Sequence, residues 1–315
     1  MLESEWNHCG DPVALLNYLD KRITERQFRL IACACARRLE SLFESGASSL
    51  AIGAAEKYAD GLITADELRQ AEEDARKALT MATREAHSIW AQGPAAVTAR
   101  RAWVKVWART AAANTCERDI HAISAPSLET DSQGNPAVRT AQVASWALEV
   151  LQEPEKANEN DSADTETPLF FAFLRGLKTT VRRIAEDAQN GLEASESVVQ
   201  ARIVRDILGN PFRPVAFAHQ WRFDHNWTAY KVAEEIYENR TFADLPILGD
   251  ALEDAGCADK AILDHLRAPM LHVRGCWVLD LVLDKERLSR EAAERNTLSP
   301  EERDTTAEAV LDQSA

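Results

Sequence analysis

The chain has 315 residues and a formal net charge of −15 at pH 7, with 51 acidic side chains against 36 basic ones. Such a charge repels phosphate backbones and anionic membrane surfaces, so neither nucleic acid nor a membrane is an expected partner. Hydrophobic residues make up 45% of the chain and include eight tryptophans and nine phenylalanines. These are enough for sizeable cores, and the length favours two domains over one.

The first residues, MLESEWNHCGDP, carry acidic side chains and lack the basic and apolar regions of a secretory signal. No apolar run approaches the roughly 18 residues that a membrane-spanning helix needs. Six cysteines are too few to form a disulfide scaffold in a chain of this length. We therefore expect a cytoplasmic protein whose cysteines are thiols.

Helix signals recur through the first half of the chain, and strand signals hardly appear. Thr24 and Gln27 form a capping box before a long segment whose apolar residues recur at steps of three and four. Thr64 and Glu67 repeat the capping box before a polar, alanine-rich segment. Residues 1–152 are predicted to form an N-terminal helical bundle.

The second half begins after a segment of different composition. Residues 153–167, EPEKANENDSADTET, contain no large apolar side chain and one basic residue, Lys156, which predicts an acidic flexible linker. Residues 168–284 are predicted to form a C-terminal helical module, and residues 285–315 a charged helical tail. Within the module we expect helices over about 228–239, 245–255, 259–266 and 270–283. The predicted fold class is all-α.

Several strings in the chain are long and unusual. They are EW…C.DP..LL.YL, RLIACACARRL and EKYADG in the first half, and RDILGNPFRPV, LPILGDALEDAGC and HVRGCWVLDLVL in the second. Together they resemble a large family of uncharacterised proteins that is abundant in planctomycete bacteria. The resemblance covers both ends and most of the second half, whereas residues 120–167 depart from it and are interpreted as a variable insertion. That family has no established activity, so the resemblance implies relatives and no function.

Metal-ligating side chains are concentrated between residues 257 and 276. This segment contains Cys257, His265, His272 and Cys276 within twenty residues. His272 and Cys276 are four positions apart, which would place an imidazole and a thiolate on one face of the expected helix. If the intervening turns fold back, Cys257 and His265 can complete a tetrahedral zinc site with two cysteines and two histidines.

A structural interpretation of the same four residues competes with zinc binding. Free cysteine is among the most buried residue types, so Cys257 and Cys276 would lie in the core. His265 and His272 would then bond to carbonyl groups at helix ends, and the four side chains would point apart. The sequence favours this interpretation, because the spacing lacks the close CxxC or HxxxH pairs typical of zinc motifs.

The aromatic string HQWRFDHNW contains the other candidate chemistry. His219 and Asp224 can be imagined as an acid–base pair in a pocket, but no nucleophile accompanies them. The chain also lacks a glycine-rich phosphate loop, a GxSxG elbow and an HExxH motif. We therefore predict a protein–protein interaction or scaffold module that binds other proteins. Two alternatives remain open: a zinc-binding regulatory protein, and an enzyme with a pocket near His219 and Asp224.

Overall fold

The computed structural model describes part of the chain: residues 1–19, 22–43, 46–91, 96–116 and 196–297. Within these ranges all regular secondary structure is helical, so the predicted all-α class is confirmed. None of the described helices is long and apolar enough to cross a membrane. The predicted linker at 153–167 and the end of the predicted tail, 298–315, lie outside the described residues.

The described helices fall into an N-terminal and a C-terminal group. The first comprises α1 (Glu3–His8), α2 (Pro12–Leu19), α3 (Glu25–Arg37), α4 (Gly46–Ala59), α5 (Ala65–Ala91) and α6 (Ala96–Asn114). The second comprises α7 (Glu196–Leu208), α8 (Gln220–Asn239), α9 (Leu245–Asp254), α10 (Lys260–Arg267), α11 (Trp277–Leu283) and α12 (Lys285–Thr297). Both predicted capping boxes are present: the Thr24 hydroxyl accepts from the Gln27 amide, and the Thr64 hydroxyl accepts from the Glu67 amide at 3.3 Å.

Two large apolar clusters form most of the core of the described residues, and a small third one lies between α5 and α6. The first contains the buried faces of α2 to α6, with Trp6, Phe28 and Ile31 almost fully buried. The second contains side chains of α8 to α11. Helix α7 follows the predicted linker in sequence, yet its apolar face packs into the first cluster through Ile203 and Ile207. It is therefore the element of the C-terminal group that contacts the N-terminal bundle most extensively.

A buried ion network joins the two groups of helices. Asp60, in the turn after α4, accepts from Arg274 Nη2 at 2.7 Å and from the Tyr237 hydroxyl at 2.8 Å. It also accepts from Arg26 Nη2 at 3.1 Å, and Arg26 continues to Asp280 on α11. The side chains of all five residues are almost completely removed from solvent. Since a buried charge without a partner is costly, each of these side chains holds the others in place.

Replacing Asp60 by Asn should lower the free energy of unfolding by about 3–5 kcal/mol, because it leaves two buried guanidinium groups short of negative charge. Urea denaturation measures the loss. The matched control is Asp66→Asn, which removes a carboxylate with a side chain 83% exposed and should change stability by less than about 0.5 kcal/mol. Equal effects of the two substitutions would show that the network does not stabilise the fold.

The cost of Asp60→Asn should also depend on pH. Burial opposes ionisation of Asp60, but the charges of Arg26 and Arg274 outweigh burial and lower its pKa below the ordinary 3.8. A lowered carboxyl pKa contributes stability above 3.8 that is lost as the pH falls through the folded-state value. Asp280 is present in both the wild type and Asp60→Asn. Burial raises the pKa of Asp280, and the charge of Arg26 only partly opposes this rise.

Urea denaturation at neutral pH and at about pH 3 should therefore show the difference between wild type and Asp60→Asn shrinking in acid. A protonated Asp60 is as uncharged as Asn, so the two proteins approach each other in stability. A difference that stays constant or grows below pH 3.8 would contradict this account of Asp60.

Candidate metal centre

Four side chains with metal-ligating atoms meet where α7 approaches α10 and the loop before α11. They are Asp206, His265, His272 and Cys276, and one ligand atom from each lies within 4.8 Å of those of the others. Asp206 and Cys276 are fully buried, and the side chain of His272 is 4% exposed. The side chain of His265 is the most accessible of the four, at 12%. The cluster is thus a closed, polar site inside the protein.

The distances within the cluster lie close to those of a bound small cation but do not match them. Asp206 Oδ1 lies 2.7 Å from His272 Nδ1 and 3.2 Å from His265 Nε2. Cys276 Sγ lies 3.2 Å from His265 Nε2 and 4.0 Å from His272 Nδ1. In a tetrahedral zinc site, ligand atoms bound at about 2.0–2.3 Å are about 3.3–3.6 Å from one another. The distances in the cluster fall on either side of this range.

Local structure explains how α7 positions Asp206 and how α10 positions His265. Asp206 is in the last turn of α7, and its second oxygen, Oδ2, accepts the backbone N–H of Val273 at 2.9 Å. The Asp259 carboxylate caps α10 by accepting from the amide of Ala261 at 2.8 Å, and this fixes where α10 begins. His265 then lies in the last turn of α10, facing Asp206. One carboxylate therefore holds the loop and orients both histidines.

The expectation of one helix over 270–283 is wrong. Helix α11 begins at Trp277, and Cys276 is its N-cap residue. The break has a physical cause at Gly275, whose φ of +93° lies in the left-handed region that favours glycine. A Cβ on Gly275 would also lie 2.7 Å from Leu30 Cδ1 of α3. His272 and Cys276 therefore converge because the loop turns back against α3, and not because they share a helix face.

Burial and neighbouring charge set the protonation of the two acidic members. Burial would raise the pKa of Asp206, but hydrogen bonds with His265 and His272 outweigh burial and lower it. Burial, and next the negative charge of Asp206, raise the pKa of the Cys276 thiol well above its ordinary 9.0. Without a cation the thiol stays protonated. A bound divalent cation reverses this balance, because it stabilises the thiolate directly.

The structure brings together three of the four residues predicted from the sequence. His265, His272 and Cys276 meet, so the expectation that these side chains point apart is wrong. Cys257 lies after α9, buried in the second apolar cluster, and is not a member of the group. Asp206 takes the fourth position. Asp206 could not be found from local spacing because it lies on another helix, 59 positions before His265 (265 − 206), although it is part of the string RDILGNPFRPV.

The other sequence-based candidate lies apart from the cluster. His219 precedes α8, and its Nε2 lies 3.4 Å from Arg222 Nη1. The side chain of Asp224 is outside the part of the chain that the structure describes. The predicted acid–base pair of His219 and Asp224 therefore stays a prediction.

Comparison of the chain with protein-family models, with curated proteins and with solved structures finds no match. The resemblance to planctomycete proteins accordingly stays a prediction. The function has to be argued from the geometry and chemistry of the site.

Proposed function

We propose that the chain is a zinc-binding protein in which Asp206, His265, His272 and Cys276 hold one zinc ion. The observation that supports this most strongly is that four ligand atoms from α7, α10 and the loop before α11 lie within 4.8 Å of one another. Four protein ligands complete a tetrahedral shell and leave no position for a substrate, which is typical of structural zinc sites. The proposed role of the ion is therefore structural.

The donor types favour zinc over other common ions. Mg²⁺ and Ca²⁺ prefer oxygen ligands, and here one donor is a carboxylate while three are nitrogen or sulfur. Two imidazoles and a carboxylate are also found in non-haem iron sites, but those sites keep open positions. In this cluster Cys276 closes the shell with a soft sulfur. A thiolate with two imidazoles is a donor set that zinc commonly takes.

A zinc ion in this cluster would link elements of both apolar clusters. Asp206 belongs to α7, whose apolar face packs into the first cluster. The other three ligands lie on α10 and on the loop leading to α11, whose apolar residues form part of the second cluster. Because the ligands are assembled by folding, the binding free energy of the ion would stabilise this arrangement.

The zinc proposal does not test the other predictions made from the sequence, which concern the location of the protein and its partners. All six cysteines are free, which agrees with the proposed cytoplasmic location, where thiols stay reduced. A role as an interaction or scaffold module with protein partners stays a prediction. A zinc-linked helical body is compatible with such a role.

Zinc content separates the proposal from the structural interpretation. The purified wild-type protein should retain about one equivalent of zinc after dialysis, measured by inductively coupled plasma mass spectrometry, and Cys276→Ser should lose it. Cys257→Ser is the matched control, since it changes a buried cysteine of the same segment that is outside the cluster. A wild type that neither carries zinc nor takes it up, or equal losses in both variants, would reject the site.

Chelation should also destabilise the wild-type protein. Removing the ion with a strong chelator should lower its melting temperature by several degrees, because the metal contributes to folding free energy. Cys276→Ser should melt at one temperature with or without chelator. Differential scanning calorimetry provides the measurement. An unchanged wild-type melting curve after complete removal of the metal would rule out a structural role.

A further inference from the structure

A cavity of about 790 Å³ opens beside the metal cluster. Its lining includes residues from α1, α7, α8, α10, α11 and the loop before α8, among them Trp6, Arg205, Phe217, Arg222, His265 and Trp277. Small-molecule sites are commonly about 300–1,000 Å³ in volume and mostly apolar, with a few polar groups that orient the ligand. The cavity has the size for such a ligand.

The walls of the cavity are rich in aromatic rings that the surrounding structure holds in place. The Trp277 ring lies 5.1 Å from the His265 ring, so it contributes to the wall next to the metal cluster. Gly209, with a φ of +67°, lets the chain pass close to Trp277, because a Cβ there would lie 3.3 Å from the Trp277 ring. Phe217 is held edge-on by Trp221, with ring centroids 5.5 Å apart. Such rings offer flat apolar surfaces to a ring-containing ligand.

The acidic side chains of the lining each accept from an arginine. Asp280 accepts two hydrogen bonds from the Arg26 guanidinium, and one of them is 3.0 Å long. Glu286 accepts from the same guanidinium at 3.3 Å. Asp284 accepts from Arg287 Nε at 2.6 Å. Each of these carboxylates therefore has an arginine partner, and Asp280 and Glu286 share the guanidinium of Arg26.

Two arginines of the lining are less closely paired with carboxylates. Arg205 donates to the backbone carbonyls of Trp6 and Cys9, and forms no ion pair among the described residues. Arg222 is 5% exposed and donates to the Leu281 carbonyl at 2.6 Å. The carboxylate that it contacts, Asp284, lies 3.5 Å away, at the limit of a hydrogen bond.

The guanidinium of Arg222 also retains an unused donor. Its Nε is buried and has no hydrogen-bond partner in the described part of the chain. Phe217 and Phe223 lie 5.5 and 5.8 Å from the guanidinium carbon and help to fix its position. A buried cation with an unpaired donor favours an anionic oxygen, since charge-assisted hydrogen bonds strengthen where water is excluded.

We propose that the cavity binds a small molecule with an apolar, ring-containing body and one anionic group, a carboxylate or a phosphate, that pairs with Arg222. The aromatic walls would contact the body of the ligand. Arg205 adds a second positive charge to the lining. This proposal does not depend on zinc, because the cluster contributes to one wall and Arg222 is on another helix.

Isothermal titration calorimetry with three matched probes tests the proposal on the wild-type protein. The probes are 2-naphthoate, 2-naphthyl phosphate and the neutral 2-naphthamide, which share one ring system. At least one anionic probe should bind about tenfold or more tightly than the amide, as a charge-assisted hydrogen bond predicts. The comparison of 2-naphthoate with 2-naphthyl phosphate identifies the preferred anion. Equal affinities for all three probes, or no binding of any, would overturn the proposal.

Variants then assign the preference to Arg222. In Arg222→Gln the advantage of the anionic probe should fall to less than about twofold, and Arg222→Lys should retain part of it. The control is Arg267→Gln, which removes a paired arginine outside the cavity and should leave the preference unchanged. Circular dichroism checks the fold of each variant. If Arg222→Gln does not fold, the three-probe comparison on the wild type and on Arg222→Lys still decides.

Discussion

The burial of Asp60 is the constraint on which the described structure depends. A carboxylate in that position must be matched by donors, and it is matched by Arg26, Arg274 and the Tyr237 hydroxyl. These residues come from α3, α8 and the loop before α11. Their meeting point therefore fixes the C-terminal helices against the N-terminal bundle more specifically than apolar contact could, since ion pairs require both a partner and a geometry.

The loop before α11 contains, within five residues, two members of the candidate metal centre and one partner of Asp60. His272 contributes a nitrogen to the candidate metal centre, Arg274 pairs with Asp60, and Cys276 contributes the sulfur. Gly275 allows the turn between them and the close approach to Leu30. The buried network therefore does more than stabilise the fold. By holding Arg274 it also holds the residues on either side that belong to the cluster of candidate ligands.

Helix α11 connects the network, the metal cluster and the cavity. Its N-cap residue Cys276 belongs to the cluster, and its first residue Trp277 lines the cavity. One turn later Asp280 pairs with Arg26. A displacement of this short helix would therefore disturb all three features together. This arrangement explains why the WVLDLVL sequence combines a dense apolar face with one buried carboxylate.

The sequence alone determined the fold class and several helix starts, because the signals for these lie within a few residues of one another. The Thr24 and Thr64 capping boxes and the helices near 245–254 and 260–267 are local features, set by hydrogen bonds and apolar spacing over three or four positions. The density of histidine and cysteine after residue 256 likewise marked the segment that supplies three of the four cluster members.

Tertiary structure alone decided which of those residues meet. A helix was expected over 270–283, with His272 and Cys276 on one face, but packing of Gly275 against Leu30 imposed a loop. The fourth member of the cluster is Asp206 rather than Cys257, since α7 lies across the cluster while Cys257 packs into an apolar core. The partners of Asp60 and the unpaired Nε of Arg222 could not be predicted from the sequence either. A buried charge is satisfied by whichever group the fold brings near, and no local pattern in the chain encodes that choice.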